Sequence, residues 1–440
     1  MSRGLILAAP ASGSGKTVIT LALLRHLRRT GLRIASAKAG PDYIDPAFHT
    51  AASGRDCLNL DAWAMRPPTL AAAVGALATD AELIVCEGVM GLFDGIGADG
   101  AGSTACLAEA TGWPVVLVLD VAGQSASAAA VLAGFTRFRP GVRLVGALLN
   151  RVGSKSHADT IVEACRRAVP EVPVLGAVPR SPELVLPDRH LGLVQAREHP
   201  DLDAFLDRAA AVVGEAVDAA ALIRLARQCA LAAAIGPPPL PPLGQRIAVA
   251  ADLAFAFAYP LLLTAWRRAG AEICPFSPLA GEAPDATADA VYLPGGYPEL
   301  HAERLAATAA WREGLAAAAA RGAALYGECG GYMALGRGLV DAAGRRHAMA
   351  GLLPLETSFA SRRLHLGYRQ LRAVTGTPLG AVGSRYRCHE FHYALVLAEG
   401  DGQALFDAGD ALGRGLGPCG RRSGSVFGSF VHLIDAVTTP

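Results

Sequence analysis

No two of the nine cysteines form a C-x-x-C pair, and none of their spacings suits a tetrahedral metal site. That excludes a zinc ribbon and a thioredoxin-type redox motif. A dispersed, odd-numbered set reads instead as reduced thiols of a cytoplasmic chain. Also missing is any stretch of about 20 uninterrupted apolar residues, so no membrane-spanning helix is expected. The alanine run Ala316–Ala320 is helix composition. Charge is sparse, at 18% of residues, with a net charge of +1 and no long basic run. This argues against a dedicated nucleic-acid binder. The apolar part of Met1–Pro10 is too short for a secretory signal, because it runs straight into "ASGSGKT".

What is present is enough chain for two cores: 440 residues, 52% of them hydrophobic. The break falls in "IGPPPLPPLGQR", Ile235–Arg246, whose five prolines neither continue a helix nor fill a central strand. They favour an extended, semi-rigid linker. The expected division is a domain over 1–234, a linker over 235–245 and a domain over 246–440. In the first part, "GLILAAP", "RIASAKAG", "ELIVCEG", "PVVLVLD", "VRLVGALLN" and "PVLGAVP" are near-continuous apolar runs. Such runs are strands buried on both faces. Helical windows separate them, beginning with Lys16–Thr30, which Gly31 ends. The expectation is α/β, a doubly wound domain. The second part repeats the style with "RIAVAAD", "AEICPF", "AVYLPGG" and "AALYGEC". From about Met349, turn residues and short β-like runs predict a small antiparallel annex.

"AAPASGSGKT" follows a strand and opens a helix, the setting a phosphate loop needs. Gly13, Ser14 and Gly15 let backbone N–H groups close around phosphate oxygens, Lys16 adds a full charge, and Thr17 offers a hydroxyl to Mg²⁺. The loop is a variant, with Pro10 where the strict pattern has glycine. Two acidic stretches, "KAGPDYIDP" and "CEGVMGLFDG", follow later strands and so share the loop's rim. Asp45 and Glu87, with Thr17, are the candidate Mg²⁺ ligands. Asp42, Tyr43 and Asp94 are candidates for the substrate or acyl-phosphate site. Asn150 ends a strand in "LLNRVG" and has two readings, an adenine contact or a plain turn.

"ALYGECGGYMAL" is strand, then G-x-C-x-G, then helix: a nucleophile elbow carrying cysteine. The glycines permit a crowded turn that lifts Cys329 to the strand top, where the helix N-terminus is expected to lower its pKa. The Gly330 N–H is one candidate oxyanion donor, and Gly296 in "YLPGGYPEL" is the other. The base is His432 in "GSFVHLID". In "RYRCHEFHYA", alternation puts Glu390 and His392 on one face. With His389 they either line a glutamine site or serve structure.

The second half resembles a class I glutamine amidotransferase domain: P-G-G loop, G-x-C-x-G elbow, late histidine. The first half resembles the dethiobiotin-synthetase-like P-loop domain. In this order, with "GPDYIDP", "EGVMGLFDG" and "CHEFHYA", the whole chain resembles the cobyrinic acid or hydrogenobyrinic acid a,c-diamide synthase family. There are two departures. Many such amidotransferases carry His-x-Glu, but Ile434 holds the acid position here. The family's glycine before "HEFHY" is Cys388, read as a tolerated change. The resemblance implies a glutamine-hydrolysing carbon–nitrogen ligase of cobalamin biosynthesis. It would amidate the a- and c-carboxylates of a corrin-type polycarboxylate through acyl phosphates, with ATP and L-glutamine as co-substrates and Mg²⁺ as cofactor. Two sites imply a path for ammonia, and a homodimer is a candidate assembly.

The nearest rival, a nickel-sirohydrochlorin a,c-diamide synthase, shares the chemistry. A P-loop partitioning-type ATPase would need a signature lysine at position 11, which is Ala11. A small-molecule kinase would leave the Cys329 domain idle, and a dead binding module would not keep both Cys329 and His432.

Overall fold

The computed structural model describes residues 2–186, 195–232 and 236–437. Ile235, where the linker is expected to begin, lies outside the described residues. The chain forms two compact units: Met1–Trp63 with Pro67–Gly236, and Ala64–Arg66 with Pro237–Pro440.

The first unit is built on seven parallel strands: β1 (Arg3–Ala8), β2 (Ile34–Ala39), β3 (Leu58–Leu60), β4 (Leu83–Glu87), β5 (Val115–Asp120), β6 (Leu144–Val152) and β7 (Val174–Pro179). Their order is β3-β2-β4-β1-β5-β6-β7, and a short β8 (Arg227–Gln228) pairs antiparallel with β1. Two of these were not read from the sequence. With three and two residues, β3 and β8 are too short to show a period. The strand order turns at β1, which lies between β4 and β5. The phosphate loop follows β1, so it sits at the switch point where open parallel sheets bind ligands. Helix Lys16–Arg29 buries Ile19, Leu23 and Leu27 at helical spacing, and Gly31, with φ 84°, follows its end. Val213, Ala209 and Phe205 of helix Leu202–Ala216 complete the same core.

The second unit contains β9 (Arg246–Ala250), β10 (Glu272–Phe276), β11 (Ala290–Leu293), β12 (Ala324–Glu328), β13 (Gly338–Val340), β14 (Arg346–Ala348), β15 (Leu355–Ser358), β16 (His365–Ala373), β17 (Arg385–His392), β18 (Leu395–Glu399), β19 (Gln403–Asp410), β20 (Gly415–Ser423), β21 (Val426–Ser429) and β22 (Val431–Val437). Ten of them form one sheet in the order β10-β9-β11-β12-β21-β20-β19-β16-β17-β22. It is parallel from β10 to β21 and antiparallel beyond. Most of the expected annex therefore continues the main sheet. Only β13, β14, β15 and β18 stand apart, as a four-stranded sheet. β21 and β22 are separated by one residue, Phe430, yet they lie at different places in the order. The sheet accordingly curls until its far edge returns to β12, where the Leu433 N–H donates to the Glu328 carboxylate at 3.1 Å. Tyr292, Tyr326 and Phe427 stack in succession along β11, β12 and β21, with centroids 5.7 and 5.2 Å apart.

The proline-rich stretch forms no helix or strand over its described residues, but it is not a free spacer. Leu240 is fully buried, and its carbonyl accepts the Trp266 indole N–H at 3.1 Å. Among the described residues, no helix is long and apolar enough to cross a membrane.

Candidate active sites

In the first unit the phosphate loop turns on Gly13 and Gly15, whose φ angles of 79° and 81° only glycine adopts without strain. The Asn150 side-chain amide donates to the Ser14 carbonyl at 2.8 Å. A Cβ on Gly15 would fall 2.3 Å from the Asn150 nitrogen. Asn150 thus braces the loop from β6.

Beneath the loop lies Glu87, the last residue of β4 and fully buried. Its Oε1 accepts from Thr17 Oγ1 at 2.6 Å and from Lys38 Nζ at 2.8 Å, with Lys16 Nζ at 3.5 Å. Its Oε2 lies 2.6 Å from His49 Nε2. Burial pushes this carboxyl up, but Lys38, Lys16 and His49 more than offset it and hold the group well below the usual range. Lys38 also meets Asp45 at 2.5 Å, with Asp42 at 3.9 Å. Burial, then the neighbouring charge of Asp42, raises Asp45 to about 6 despite Lys38. His49 is raised to about 10, since Cys57 and Glu87 outweigh its burial.

Sequence reasoning missed Lys38 and His49. The available signal for Lys38 was a lone charge in the otherwise uncharged strand "IASAKA", every residue of which is buried. The other predicted acids have local partners. Asp42 Oδ1 accepts the Ile44 and Asp45 N–H groups at 2.8 and 3.0 Å and opens helix Asp45–Ser53. Asp94 accepts the Gly91 N–H at 2.9 Å and fastens its own loop. Tyr43, next to Asp42 in sequence, is half-buried. Thr17, Asp45 and Glu87 offer hydroxyl and carboxylate oxygens, a donor set that fits Mg²⁺.

In the second unit Cys329 sits at φ 45°, ψ −106°, between β12 and the helix Gly330–Leu335. A non-glycine residue at positive φ marks a strained turn. The surrounding glycines are sterically required. A Cβ on Gly331 would lie 1.9 Å from the Leu293 carbonyl oxygen, and one on Gly330 2.9 Å from the Gly296 nitrogen. A Cβ on Gly295 would lie 2.3 Å from His432 Cε1 and 3.2 Å from Cys329 Cβ. The elbow, the P-G-G loop and the late histidine therefore converge on one point.

The chemistry there differs from expectation in one respect. The thiol is not lowered; burial, with the nearby Glu299 carboxyl, pushes it up, and the Gly330 N–H only partly opposes this. The helix that follows has six residues, too few to outweigh exclusion of water. The thiol donates to the Phe391 carbonyl at 3.5 Å. His432 is fully buried and held down to about 3 by burial, then by His389 and His392. Burial likewise raises Glu299 to about 8.

His432 has an acid neighbour where none was read. Glu328 Oε2 lies 3.8 Å from His432 Nδ1. This carboxyl is 1% exposed and accepts three hydrogen bonds: Tyr292 Oη at 2.8 Å, Tyr326 Oη at 2.7 Å and the Leu433 N–H. Burial raises it to about 7. Asp435 is committed elsewhere. Its carboxylate takes Arg66 through Nη2 at 2.6 Å, Nε at 3.0 Å and the backbone N–H at 2.7 Å.

On β17, His389 pairs in register with His432, and Glu390 Oε1 lies 3.1 Å from His392 Nε2. Glu390 Oε2 takes Arg369 at 2.7 Å. Burial raises this carboxyl, but His392 and Arg369 prevail and hold it at about 2. His365, Glu390 and His392 bring ligand atoms within 4.8 Å of one another, but Arg369 already neutralises the carboxylate and the two imidazoles stack. That is the pattern of an ion-pair network. Arg369 and Glu390 also line a cavity of about 230 Å³ with Glu399, Leu416 and Phe430. Cys388 is buried and donates to the Arg369 carbonyl at 3.1 Å.

Known proteins match both units. Residues 5–194 fit the CobQ/CobB/MinD/ParA nucleotide binding domain, and residues 246–437 fit the CobB/CobQ-like glutamine amidotransferase domain. The hydrogenobyrinate a,c-diamide synthase of Brucella abortus biovar 1 (strain 9-941) is 56% identical over 438 residues, 98% of each chain. That of Rhizobium meliloti (strain 1021) is 54% identical over 434 residues, covering 98% of this chain and 99% of its own. The Mesorhizobium japonicum protein of the same name is 51% identical over 435 residues, 98% of each. The chain belongs to the hydrogenobyrinate a,c-diamide synthase family.

Proposed function

We propose that this chain amidates the a- and c-side-chain carboxylates of hydrogenobyrinate, using ATP for activation and glutamine as the nitrogen source. The observation that carries the reading is the convergence of Cys329, His432 and the Gly295–Gly296 loop in a chain that also holds a glycine-turned phosphate loop over Glu87. A carboxylate is a poor acyl donor because its leaving group would be oxide. Attack of the substrate carboxylate on the γ-phosphorus of ATP forms a C–O–P linkage, expels ADP and gives an acyl phosphate with a good leaving group. Lys16, with Lys38 behind it, would supply fixed positive charge to that transfer. Mg²⁺ held by Thr17, Asp45 and Glu87 would neutralise phosphate charge.

Ammonia is made in the second unit. Cys329 Sγ attacks the glutamine amide carbon while His432 takes the thiol proton and returns it to the departing nitrogen. The Gly330 and Gly296 N–H groups are suited to the oxyanion. Water then hydrolyses the thioester to glutamate. The ion pair of Arg369 and Glu390 at the cavity wall is suited to the carboxylate and ammonium of glutamine. Each ammonia displaces phosphate from one acyl phosphate, so two turnovers give the diamide.

The names of the relatives favour the metal-free acid as substrate. The family setting favours a cytoplasmic enzyme, and a homodimer remains its candidate assembly. The test is mass spectrometry of products after incubation with ATP, Mg²⁺ and glutamine, with hydrogenobyrinic acid, cobyrinic acid and nickel-sirohydrochlorin in separate reactions. A gain of two amides on hydrogenobyrinic acid supports the reading. Amidation of nickel-sirohydrochlorin alone would replace it.

A further inference from the structure

We infer that Glu328, the residue immediately before the nucleophile, is the positioning acid for His432: it takes the place of the acid that Ile434 does not supply. The inference rests on the glutaminase reading above. His432 Nδ1 faces Glu328 Oε2 at 3.8 Å, and both side chains are essentially fully buried. The acid is fixed on its other sides. Tyr292 donates to it from the neighbouring strand β11, Tyr326 from two residues earlier on β12 itself, and Leu433 donates its backbone N–H. Leu433 adjoins His432 in sequence, so the bond that anchors the carboxylate also sets its distance from the imidazole. One carboxylate thereby registers the strand that ends in the nucleophile against the strand that bears the base.

Three neutral donors orient Glu328 without discharging it, unlike a lysine or arginine partner. Its charge stays available to a cation that exists only during turnover. The resting state directs His432 Nδ1–H toward Glu328 Oε2 and leaves the Nε2 lone pair for the thiol. When the Sγ–H proton moves to Nε2 as the S–C bond forms, the imidazole becomes a buried imidazolium. Attraction to Glu328 then closes the gap from 3.8 Å toward a charge-assisted hydrogen bond. No proton need pass to the acid. The other titratable groups around the imidazole are His389, His392 and Glu390 on β17, and Glu299 lies beside the thiol. Glu390 is already committed to Arg369 and His392. The two β17 histidines disfavour an imidazolium, which makes a dedicated carboxylate the more necessary.

The test is Glu328→Gln, which keeps an acceptor for the tyrosines and removes the charge. Glutaminase kcat at pH 7 should fall about 10²-fold, with KM for glutamine within twofold. Ammonia-driven amidation and the thermal midpoint at that pH serve as controls for a folded chain. The deficit should grow as pH rises through about 7, because the wild-type carboxyl gains its charge over that range whereas glutamine never does. The alkylation rate of Cys329 by iodoacetamide should show the same pH dependence. A deficit below about threefold, or one equal at every pH, would overturn the inference, since a merely structural group lowers the rate uniformly.

If the variant does not fold, the wild-type protein still decides. ¹⁵N-histidine spectra, with His432 assigned by its absence in His432→Ala, should show the Nδ1–H tautomer; an Nε2–H tautomer would overturn the proposal. Cys329→Ala and His432→Ala run alongside keep the underlying reading separate. Should either retain glutaminase activity, the glutaminase reading fails. Should both be inactive while Glu328→Gln is active, only the role of Glu328 fails.

Discussion

Glu87 and Glu328 occupy matching positions in their units, each the last residue of a parallel strand beside a glycine-rich strand-to-helix turn. Both are fully buried, but they are compensated differently. Glu87 is ringed by Lys16, Lys38 and His49 and is held well below the carboxylate range. Glu328 is surrounded by phenols and an amide and is raised to about 7. One is a permanent anion that organises cations for a phosphate. The other is a carboxyl kept short of charge compensation beside His432, the base of the proposed glutaminase reaction. The turns differ in the same sense. In the first, glycines take the positive φ, as suits a loop proposed to bind phosphate through its backbone N–H groups. In the second, Cys329 itself takes φ 45°, because there the side chain must be presented.

The sharpest way to break the comparison is to remove each unit's central group. Cys329→Ala should abolish glutamine-dependent amidation while sparing amidation driven by high ammonium. A folded variant that lost both would mean that the units do not divide the labour. Glu87→Gln should instead cripple both routes, by at least about 10²-fold, since it removes the buried anion shared by Lys16, Lys38 and His49 and leaves Lys38 to its aspartates alone. Steady-state rates with glutamine and with ammonium separate the two patterns. Near-normal ammonia-driven rates in Glu87→Gln would remove the first unit from carboxylate activation.

Contiguous features were legible in the sequence. The phosphate loop, the elbow and the P-G-G loop are local, and their glycines follow from close approach that any such turn requires. The partners of the buried charges were not. Lys38 meets Glu87 across neighbouring strands, and Glu328 lies 104 residues before His432 in the chain. A search for the acid beside the histidine in sequence finds Ile434 and Asp435, whereas the curl of the sheet brings it from beside the cysteine. The thiol expectation failed for a related reason. A helix N-terminus is visible in sequence, but the burial that outweighs it is not.

Asp435 sharpens this point at the next level of effect. Its carboxylate is fully buried and takes three hydrogen bonds from Arg66. Asp435→Asn should therefore cost about 3 kcal/mol of stability, the scale for breaking a buried ion pair. Glutaminase turnover of the folded fraction should stay within a fewfold of wild type. Denaturant unfolding alongside glutaminase assays would show it. A severe turnover defect at full stability would make Asp435 part of the site.

The two glutamates should also respond to pH with opposite signs. Glu87 is depressed in the folded state, so its contribution to stability is present at neutral pH and is lost as pH falls below the ordinary carboxylate range. Glu328 is raised from 4.5 to about 7, so the folded state holds its proton longer than the unfolded chain does. Its burial therefore costs stability progressively as pH rises from about 4.5 to about 7. Removing that ionisation in Glu328→Gln should raise the thermal midpoint relative to wild type more at pH 8 than at pH 5. A difference independent of pH would show that Glu328 is charged in the folded protein throughout.

The smallest expected effect isolates the cost of presenting a side chain at the elbow. Alanine at position 329 removes the thiol but keeps a Cβ at φ 45°, and so keeps the backbone strain. Glycine removes both. Cys329→Gly gains freedom in the unfolded chain, which works against it by several tenths of a kcal/mol. Relief of a strained non-glycine conformation is worth about 1–3 kcal/mol. The second term is the larger, so Cys329→Gly should be more stable than Cys329→Ala by about 1 kcal/mol, although it leaves the bigger void. No such gain is available in the phosphate loop, where Gly13 and Gly15 already carry the positive φ. There Gly15→Ala should destabilise, since its Cβ would also press on Asn150. Equilibrium unfolding of the three variants measures both signs. If Cys329→Gly were the less stable of the elbow pair, the turn would not be storing strain, and the contrast between a backbone that binds and a backbone that presents would lose its energetic basis.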